Sequence, residues 1–243
     1  MTNIPVLPWF YHPHALESGC RVQMDADEAR HASGARRLRV EQVVCLFDGR
    51  GTVAEGRIAV IGDRGRVVEV EIDAVRCVDP AAPALHLASA LPKGDRQAVL
   101  LDMATQLGVA SFTPLLCEHG VAMPGGHAVE RWRRICVEAC KQSRRAQVPE
   151  IRPAASVADL MQTAQAPVWL AHVGGESPAV LFDSADPPPV VTILIGPEGG
   201  FTFEEVAQAQ SAGAIVVGLG DGILRIETAA VSLLAWARLA GSG

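Results

Sequence analysis

The sequence predicts an α/β protein: a layer built on a mostly parallel sheet, preceded by a small all-β domain. Three observations predict it. Residues 42–78 read as short strands broken by glycine turns, the pattern of a small barrel. From residue 85 the rhythm changes to strand, helix, strand, as in a parallel sheet with crossover helices. Within that second part, Val190–Ile195 reads as an apolar strand of the kind a parallel sheet buries on both faces.

In the first part, Val43–Phe47 ends at Asp48-Gly49, a hairpin signal. Residues 53–61 follow. Gly62-Asp63-Arg64-Gly65 then turns the chain into residues 67–75, where Val68, Val70, Ile72 and Val75 alternate imperfectly with charged residues. Asp79-Pro80-Ala81-Ala82-Pro83 reads as a linker, dividing the chain into domains 1–80 and 83–243. Beyond it, residues 85–91 form a strand and 95–107 a helix that Gly108 closes. Val109–Leu116 is a strand. Residues 130–145 form a long amphipathic helix with Trp132, Ile135, Cys136, Ala139 and Cys140 on its apolar side. Residues 167–173, Val190–Ile195 and 214–219 are further strands, and Pro187-Pro188-Pro189 is a stiff connection. The last helix, 228–239, is apolar on nearly every side, so it belongs in the core or against another subunit.

Composition excludes several kinds of protein. Of 243 residues, 49% are apolar and 20% charged, an ordinary globular balance and not a disordered one. The longest apolar stretch, 229–240, is broken by Ser232 and Arg238 and is too short to span a bilayer. No cationic start and apolar block of a signal peptide stand at the N-terminus, so a cytoplasmic location is expected. Six cysteines are scattered without a CxxC pair. Cys136 and Cys140 stand four apart on a helix, yet no His or third Cys accompanies them at zinc-site spacing. They read as buried thiols, and neither a metal nor a disulfide is expected. A net charge of −6 argues against a protein that coats nucleic acid indiscriminately. The exception is local: Arg131, Arg133, Arg134, Lys141, Arg144 and Arg145 face only Glu130 and Glu138, a patch where RNA would bind.

The most informative stretch is Ile193-Leu194-Ile195-Gly196-Pro197-Glu198-Gly199-Gly200-Phe201-Thr202. A buried strand runs into a glycine-rich turn, and Thr202 with Glu205 forms a capping box that starts the next helix. Glycines let the backbone approach a ligand closely, although a tight strand-to-helix turn needs no ligand. This is neither a dinucleotide GxGxxG nor a phosphate loop with its Lys. A second loop, Leu219-Gly220-Asp221-Gly222-Ile223-Leu224-Arg225, also follows a strand and precedes a helix, whose start Glu227-Thr228 marks. Two such loops at strand C-terminal ends converge on one crevice in an open α/β sheet. Arg225 then points from a loop into a ligand site; its bland alternative is a surface ion pair with Glu227 or Glu198.

These two loops resemble those of the SPOUT methyltransferases. More closely, the chain resembles the ribosomal RNA small-subunit methyltransferase E family, which methylates uracil N3 in 16S ribosomal RNA. Eight blocks in order carry the resemblance: Lys93-Gly94-Asp95-Arg96, Ala104-Thr105-Gln106-Leu107-Gly108-Val109, Pro114-Leu115, Arg131-Trp132, Gln142-Ser143, Val148-Pro149, Gly196-Pro197-Glu198-Gly199-Gly200 and Ile223-Leu224-Arg225. Nearer the N-terminus, His31, Leu38 and Leu46-Phe47-Asp48-Gly49 fit more faintly.

The resemblance implies a PUA-like β-barrel that helps hold RNA and a SPOUT domain whose chain end threads a trefoil knot, a topology otherwise nearly absent from proteins. It implies S-adenosyl-L-methionine as cofactor, held by three loops at 170–175, 195–200 and 219–224. The implied contacts are Leu170, His172, Ile195, Gly196, Pro197, Glu198, Gly199, Gly200, Leu219, Gly220, Ile223, Leu224, Thr228 and Ala229. Lys93, Arg96, Arg131, Arg134, Gln142 and Arg145 are the implied RNA contacts. Partners are ribosomal RNA or the small ribosomal subunit and a second copy of the chain in a homodimer, with no membrane and no metal.

Arg225 is the implied catalytic group. Uracil N3–H is a weak acid that must lose its proton as the methyl arrives, and a cation beside the base offsets the charge that develops. Glu198 and Glu227 are proton acceptors or loop-ordering groups, with ordering favoured. The family usually has Arg where this chain has Trp9, Gly34, His119 and Gly222, Lys at Met103 and Thr at Ile226. Those departures leave open a SPOUT methyltransferase with another RNA target. A non-catalytic RNA-binding or assembly protein is a further alternative, against which the intact loops argue.

Overall fold

A computed structural model describes residues 7–120, 123–164, 167–181 and 188–241. The chain folds into two units. The first comprises Met1–Pro80 with Cys140–Val148, the second Ala81–Ala139 with Pro149–Gly243.

In the first unit, β1 (Trp9–Tyr11), β2 (Arg21–Gln23), β3 (Val43–Phe47), β4 (Thr52–Gly62) and β5 (Val67–Cys77) form a sheet in the order β1-β3-β4-β5-β2. β1 runs parallel to β3 and the remaining pairs are antiparallel. Sequence reading finds the last three strands and misses the two short ones, whose three residues carry no readable period. Helix α1 (Ala26–Arg30) is capped by Asp25, which accepts from the backbone of Asp27 and Glu28, and runs on into a π-helical turn, His31–Ala35. Phe10, Met24, Leu46, Ile58, Val68, Val70 and Ile72 make the core.

The β3–β4 turn is built by one carboxylate. Asp48 accepts the backbone N–H of Arg50 at 2.7 Å and of Thr52 at 2.9 Å. Burial pushes this carboxyl up, but the bonds from Arg50 and Thr52 and the Arg50 charge outweigh it and hold the group below its ordinary range. Asp48→Ala is expected to destabilise the protein by about 1.5–3 kcal/mol near neutral pH. Because the folded-state pKa is depressed, that stability is present above the unfolded carboxyl value and is lost as pH falls through the folded one. Parent and variant should therefore converge in denaturant melts at acid pH. A difference independent of pH would show that the carboxylate charge contributes nothing.

In the second unit, β6 (Ala84–Ser89) leads into α2 (Arg96–Gln106), with Gly108 as its stop, and then β7 (Val109–Leu116). Helix α3 (Ala128–Ser143) begins in this unit and its last residues belong to the first. Trp132, Cys136, Ala139 and Cys140 are buried as its period predicts, with Val137 also buried and Ile135 half-buried. Short strands β8 (Glu150–Ile151) and β9 (Ala155–Ser156) precede α4 (Val157–Thr163), which Ser156 and Asp159 start with a capping box. Then come β10 (Val168–Glu176), α5 (Pro178–Leu181), β11 (Val190–Ile195), α6 (Phe203–Ser211), β12 (Ile215–Val217) and α7 (Ile226–Ala240). Pro187 of the expected proline connection lies outside the described residues.

Every pairing in this sheet is parallel, in the order β12-β10-β11-β6-β7-β8 with β9 beside β7. The chain leaves the edge strand β12 and returns as α7 to pack on β11, β6 and α2. Arg238, which interrupts the apolar run of α7, donates to the carbonyls of Pro83 (2.8 Å), Leu107 (3.2 Å) and Gly108 (2.9 Å). Its charge thus satisfies backbone acceptors at the end of α2.

Candidate active site

In the second unit, β11 and β12 end level with each other against the middle of β10. Ala171 of β10 pairs in register with Ile195 of β11 on one side and Val217 of β12 on the other. β11 and β12 end at these residues and leave as loops, while β10 runs on past a bulge to Glu176; together they enclose a cleft of about 250 Å³. Its lining is mainly apolar: Ala171, Val173, Ile195, Phe201, Val217, Leu219, Ile223, Leu224, Ile226 and Ala229, with His172, Pro197 and Glu198 and the loop glycines 196, 199, 200, 220 and 222. Ligands bind at such strand ends in open parallel sheets because the loops there diverge.

The walls are held by close backbone contact. A Cβ on Gly175 would lie 2.6 Å from the carbonyl carbon of Val217, and one on Gly218 would lie 2.6 Å from the oxygen of Gly175. These two glycines let β10 and the end of β12 touch main chain to main chain. In the first loop, Thr202 caps α6 as the sequence predicts: its hydroxyl accepts from the Glu205 N–H, while the Glu205 carboxylate accepts from Thr202 N. The other Glu205 oxygen accepts from Glu118 N at 3.0 Å. His119 Nδ1 lies 3.3 Å from the Gly200 oxygen.

Charge lies to one side of the cleft. Arg96, Glu198, Ile223, Leu224 and Arg225 line an adjoining cavity of about 410 Å³, and Lys93, His119, Glu198 and Ile226 line another with Leu91, Pro197 and Gly199. Arg96 donates to Glu198 at 2.6 Å and stands 3.8 Å from Glu227. The hydrogen bond from Arg96 and then its charge hold the Glu198 carboxyl below the usual range, with smaller contributions from the charges of Lys93 and Arg225. Arg225 occupies the N-cap position of α7, is exposed, and among the described residues has no carboxylate within 4 Å. The ion pair that sequence reading offered as its bland role is formed by Arg96 instead.

Of the residues expected at the cofactor, His172, Ile195, Gly196, Pro197, Glu198, Gly199, Gly200, Leu219, Gly220, Ile223, Leu224 and Ala229 come together on this cleft. Leu170 does not. It is fully buried in the core cluster with Val168, Leu194 and Phe201, because successive side chains of a strand point to opposite faces, and Ala171 lines the cleft in its place. Thr228 is exposed on α7, whose Ile226 and Ala229, three apart, share the face on the cleft. The cleft is also lined by Val173 and Gly222, inside the expected loops 170–175 and 219–224, and by Phe201, Val217 and Ile226, which lie outside those loops; strand alternation carried to the last residue points to Ala171 and Val217.

Of the expected RNA contacts, Lys93, Arg131, Arg134 and Gln142 are exposed, Arg131 donating to Gln97 at 3.0 Å. Arg145 is half-buried, and burial pulls its pKa down. Arg96 is engaged by the two carboxylates. Lys141 leaves the surface patch that the sequence suggested, because its ammonium is buried against Glu28.

An RNA methyltransferase domain model matches residues 80–238, and an RNA methyltransferase PUA domain model matches residues 25–71. Fold and site together thus define the class, an RNA methyltransferase that carries a PUA domain. The ribosomal RNA small subunit methyltransferase E of Mycobacterium bovis is 31% identical over 235 residues, covering 93% of this chain and 88% of that protein. Among solved structures, the ribosomal RNA small subunit methyltransferase E of Neisseria gonorrhoeae, bound to S-adenosyl methionine, has a TM-score of 0.85 at 29% identity over 95% of this chain and 96% of its own. A Legionella pneumophila protein solved with bound cofactor SAM has a TM-score of 0.87 at 27% identity, over 98% and 99%. The chain belongs to the ribosomal RNA small subunit methyltransferase E family.

Proposed function

We propose that the chain transfers a methyl group from S-adenosylmethionine to N3 of a uracil in 16S ribosomal RNA. The observation that carries this reading is the apolar cleft where β11 and β12 end beside β10, set beside a cavity into which Arg225 brings a cation that, among the described residues, has no carboxylate within 4 Å. The cleft suits the cofactor. Val173, Ile223 and Leu224 are large apolar side chains left exposed at its rim, Ile223 to 87%, and such exposure on a concave wall fits the apolar faces of a bound small molecule. When bound, S-adenosylmethionine supplies an electrophilic methyl group on its sulfonium.

The chain's own residues do the rest. Negative charge develops on uracil as its N3 proton passes to solvent water, and Arg225 stabilises that charge beside the positive end of the α7 dipole while the methyl–sulfur bond breaks and the new N3–carbon bond forms. Glu198 and Glu227 order the loops through Arg96. N3 lies on the Watson–Crick edge, so the target base must be unpaired or turned out of its stack. Lys93, Arg131, Arg134 and Gln142 are exposed and suited to hold RNA, Lys93 beside the site itself. The return of the chain as α7 over β11 and β6 is the passage that a trefoil knot would use.

A homodimer belongs to the same reading. Leu239 on α7 and Phe203 on α6 are exposed to 77% and 83%, and apolar surface of this kind is covered in association. Sedimentation equilibrium should give twice the 25.6 kDa formula mass; a stable monomer sinks the dimer. The function itself is tested by mass-spectrometric mapping of ribosomal RNA from a strain lacking the gene, before and after treatment of its small subunits with the purified protein and S-adenosylmethionine. One N3-methylated uridine in 16S RNA should be missing and then restored. Restoration of a methyl group in another RNA, or none at all, overturns the proposal.

A further inference from the structure

We propose that Arg96 is a positioning residue: it ties the two glycine loops together and, by holding Glu198 and Glu227, keeps Arg225 clear of both carboxylates. The inference rests on the methyltransferase reading above and assigns Arg96 a role other than RNA contact. Glu198 sits in the first loop and Glu227 in the first turn of α7, just beyond the second. Arg96 opens α2, which packs on α7, so its side chain reaches both from a fixed base. One terminal nitrogen donates to Glu198 at 2.6 Å while the other stands 3.8 Å from Glu227. A planar fork spans two carboxylates in a way an ammonium does not.

The Glu227 side chain is only 13% exposed, and its Oε2 is buried with no hydrogen-bond partner among the described residues. A buried carboxylate of this kind needs a cation close by, which Arg96 supplies. Arg225 is the other arginine on the same cavity, near enough for its charge to act on Glu198. Without Arg96, the two carboxylates would draw Arg225 out of the position from which it meets the base.

The test uses the full chain with two readouts, S-adenosylmethionine affinity by calorimetry and single-turnover methylation of small subunits. Arg96→Ala should bind S-adenosylmethionine about tenfold more weakly, the scale of one lost charge-assisted hydrogen bond. Transfer should slow by about thirtyfold as Arg225 is captured. Adding Glu198→Gln to Arg96→Ala should recover about tenfold in rate without recovering affinity, because the capturing charge is gone while the tie stays broken. Arg96→Lys should restore part of the affinity only.

Unchanged cofactor affinity in Arg96→Ala with weaker, salt-dependent binding of RNA would make Arg96 an RNA contact and overturn the proposal. Absence of rate recovery in the double variant would overturn it equally. Should Arg96→Ala lose its cooperative melting transition, Arg96→Lys with and without Glu198→Gln carries the same comparison. A wild-type rate in Arg225→Ala would sink the role given to Arg225, yet an affinity loss in Arg96→Ala would still stand, so the two failures are distinguishable.

Discussion

Replacing Arg225 with alanine is expected to raise the barrier to methyl transfer by about 2–4 kcal/mol, a slowing of about 30- to 1,000-fold in a single turnover. S-adenosylmethionine affinity should change little. The size follows from where the guanidinium stands. Arg225 lies at the N-cap of α7, faces the cavity beside the cofactor cleft, and has no carboxylate within 4 Å among the described residues. Its side chain makes no cap hydrogen bond, so its loss removes no helix-starting contact. A charge held ready beside the base acts mainly where negative charge develops, which is in the transition state. Lysine should rescue only part of the loss, since an ammonium lacks the planar fork. If Arg225 were a solvated surface group, alanine would cost at most about 1 kcal/mol in stability with no selective kinetic effect. Single-turnover rates on small subunits, with cofactor calorimetry in parallel, separate the two. A wild-type rate eliminates the catalytic role, and a matched loss of affinity makes Arg225 a cofactor-binding residue.

A second large effect is expected outside the candidate site. In the first unit, Lys141 donates to Glu28 at 2.8 Å, and both side chains are only 8% exposed. His31 Nδ1 lies 3.3 Å from the same ammonium. The pair joins α1 to the Cys140–Val148 segment, which also pairs by backbone with the β3–β4 turn: Val148 N donates to Gly49 O at 2.9 Å and Gly51 N to Ala146 O at 3.1 Å. Lys141→Met fills similar space but takes the positive charge away from a buried carboxylate. It should cost about 3–5 kcal/mol in denaturant melts, a large share of the total stability of a domain. Adding Glu28→Gln should return much of that loss, because the buried charge is then gone as well. A cost below about 1 kcal/mol would mean that the pair behaves as a solvated surface bridge.

What depends on neighbours a few positions apart is legible along the chain itself. The period of Trp132, Cys136, Ala139 and Cys140 sets the apolar face of α3, and the apolar Val190–Ile195 run sets a buried parallel strand. The Thr202–Glu205 capping box closes a ring of four residues, and glycines at strand ends mark the loops that form the cleft. Hydrogen bonding within a turn and alternation within one element are local, so they are legible in order along the chain.

What distant residues do to one another comes from packing alone. Lys141 reads as one cation in a basic run until Glu28, 113 positions away, buries it. The family resemblance implies an RNA contact at Arg96; the fold brings Glu198, 102 positions on, to its guanidinium, and that pairing leaves Arg225 without the Glu198 partner that the sequence offered it. Leu170 and Ala171 differ by one position, yet one lies in the core and the other on the cleft, because a strand alternates faces and only its neighbours β11 and β12 say which face ends at the site. The physical reason is common to all three. A charge or an apolar side chain has the same character everywhere in a sequence, but what it does depends on the dielectric and the partners that packing gives it, and those come from residues far along the chain.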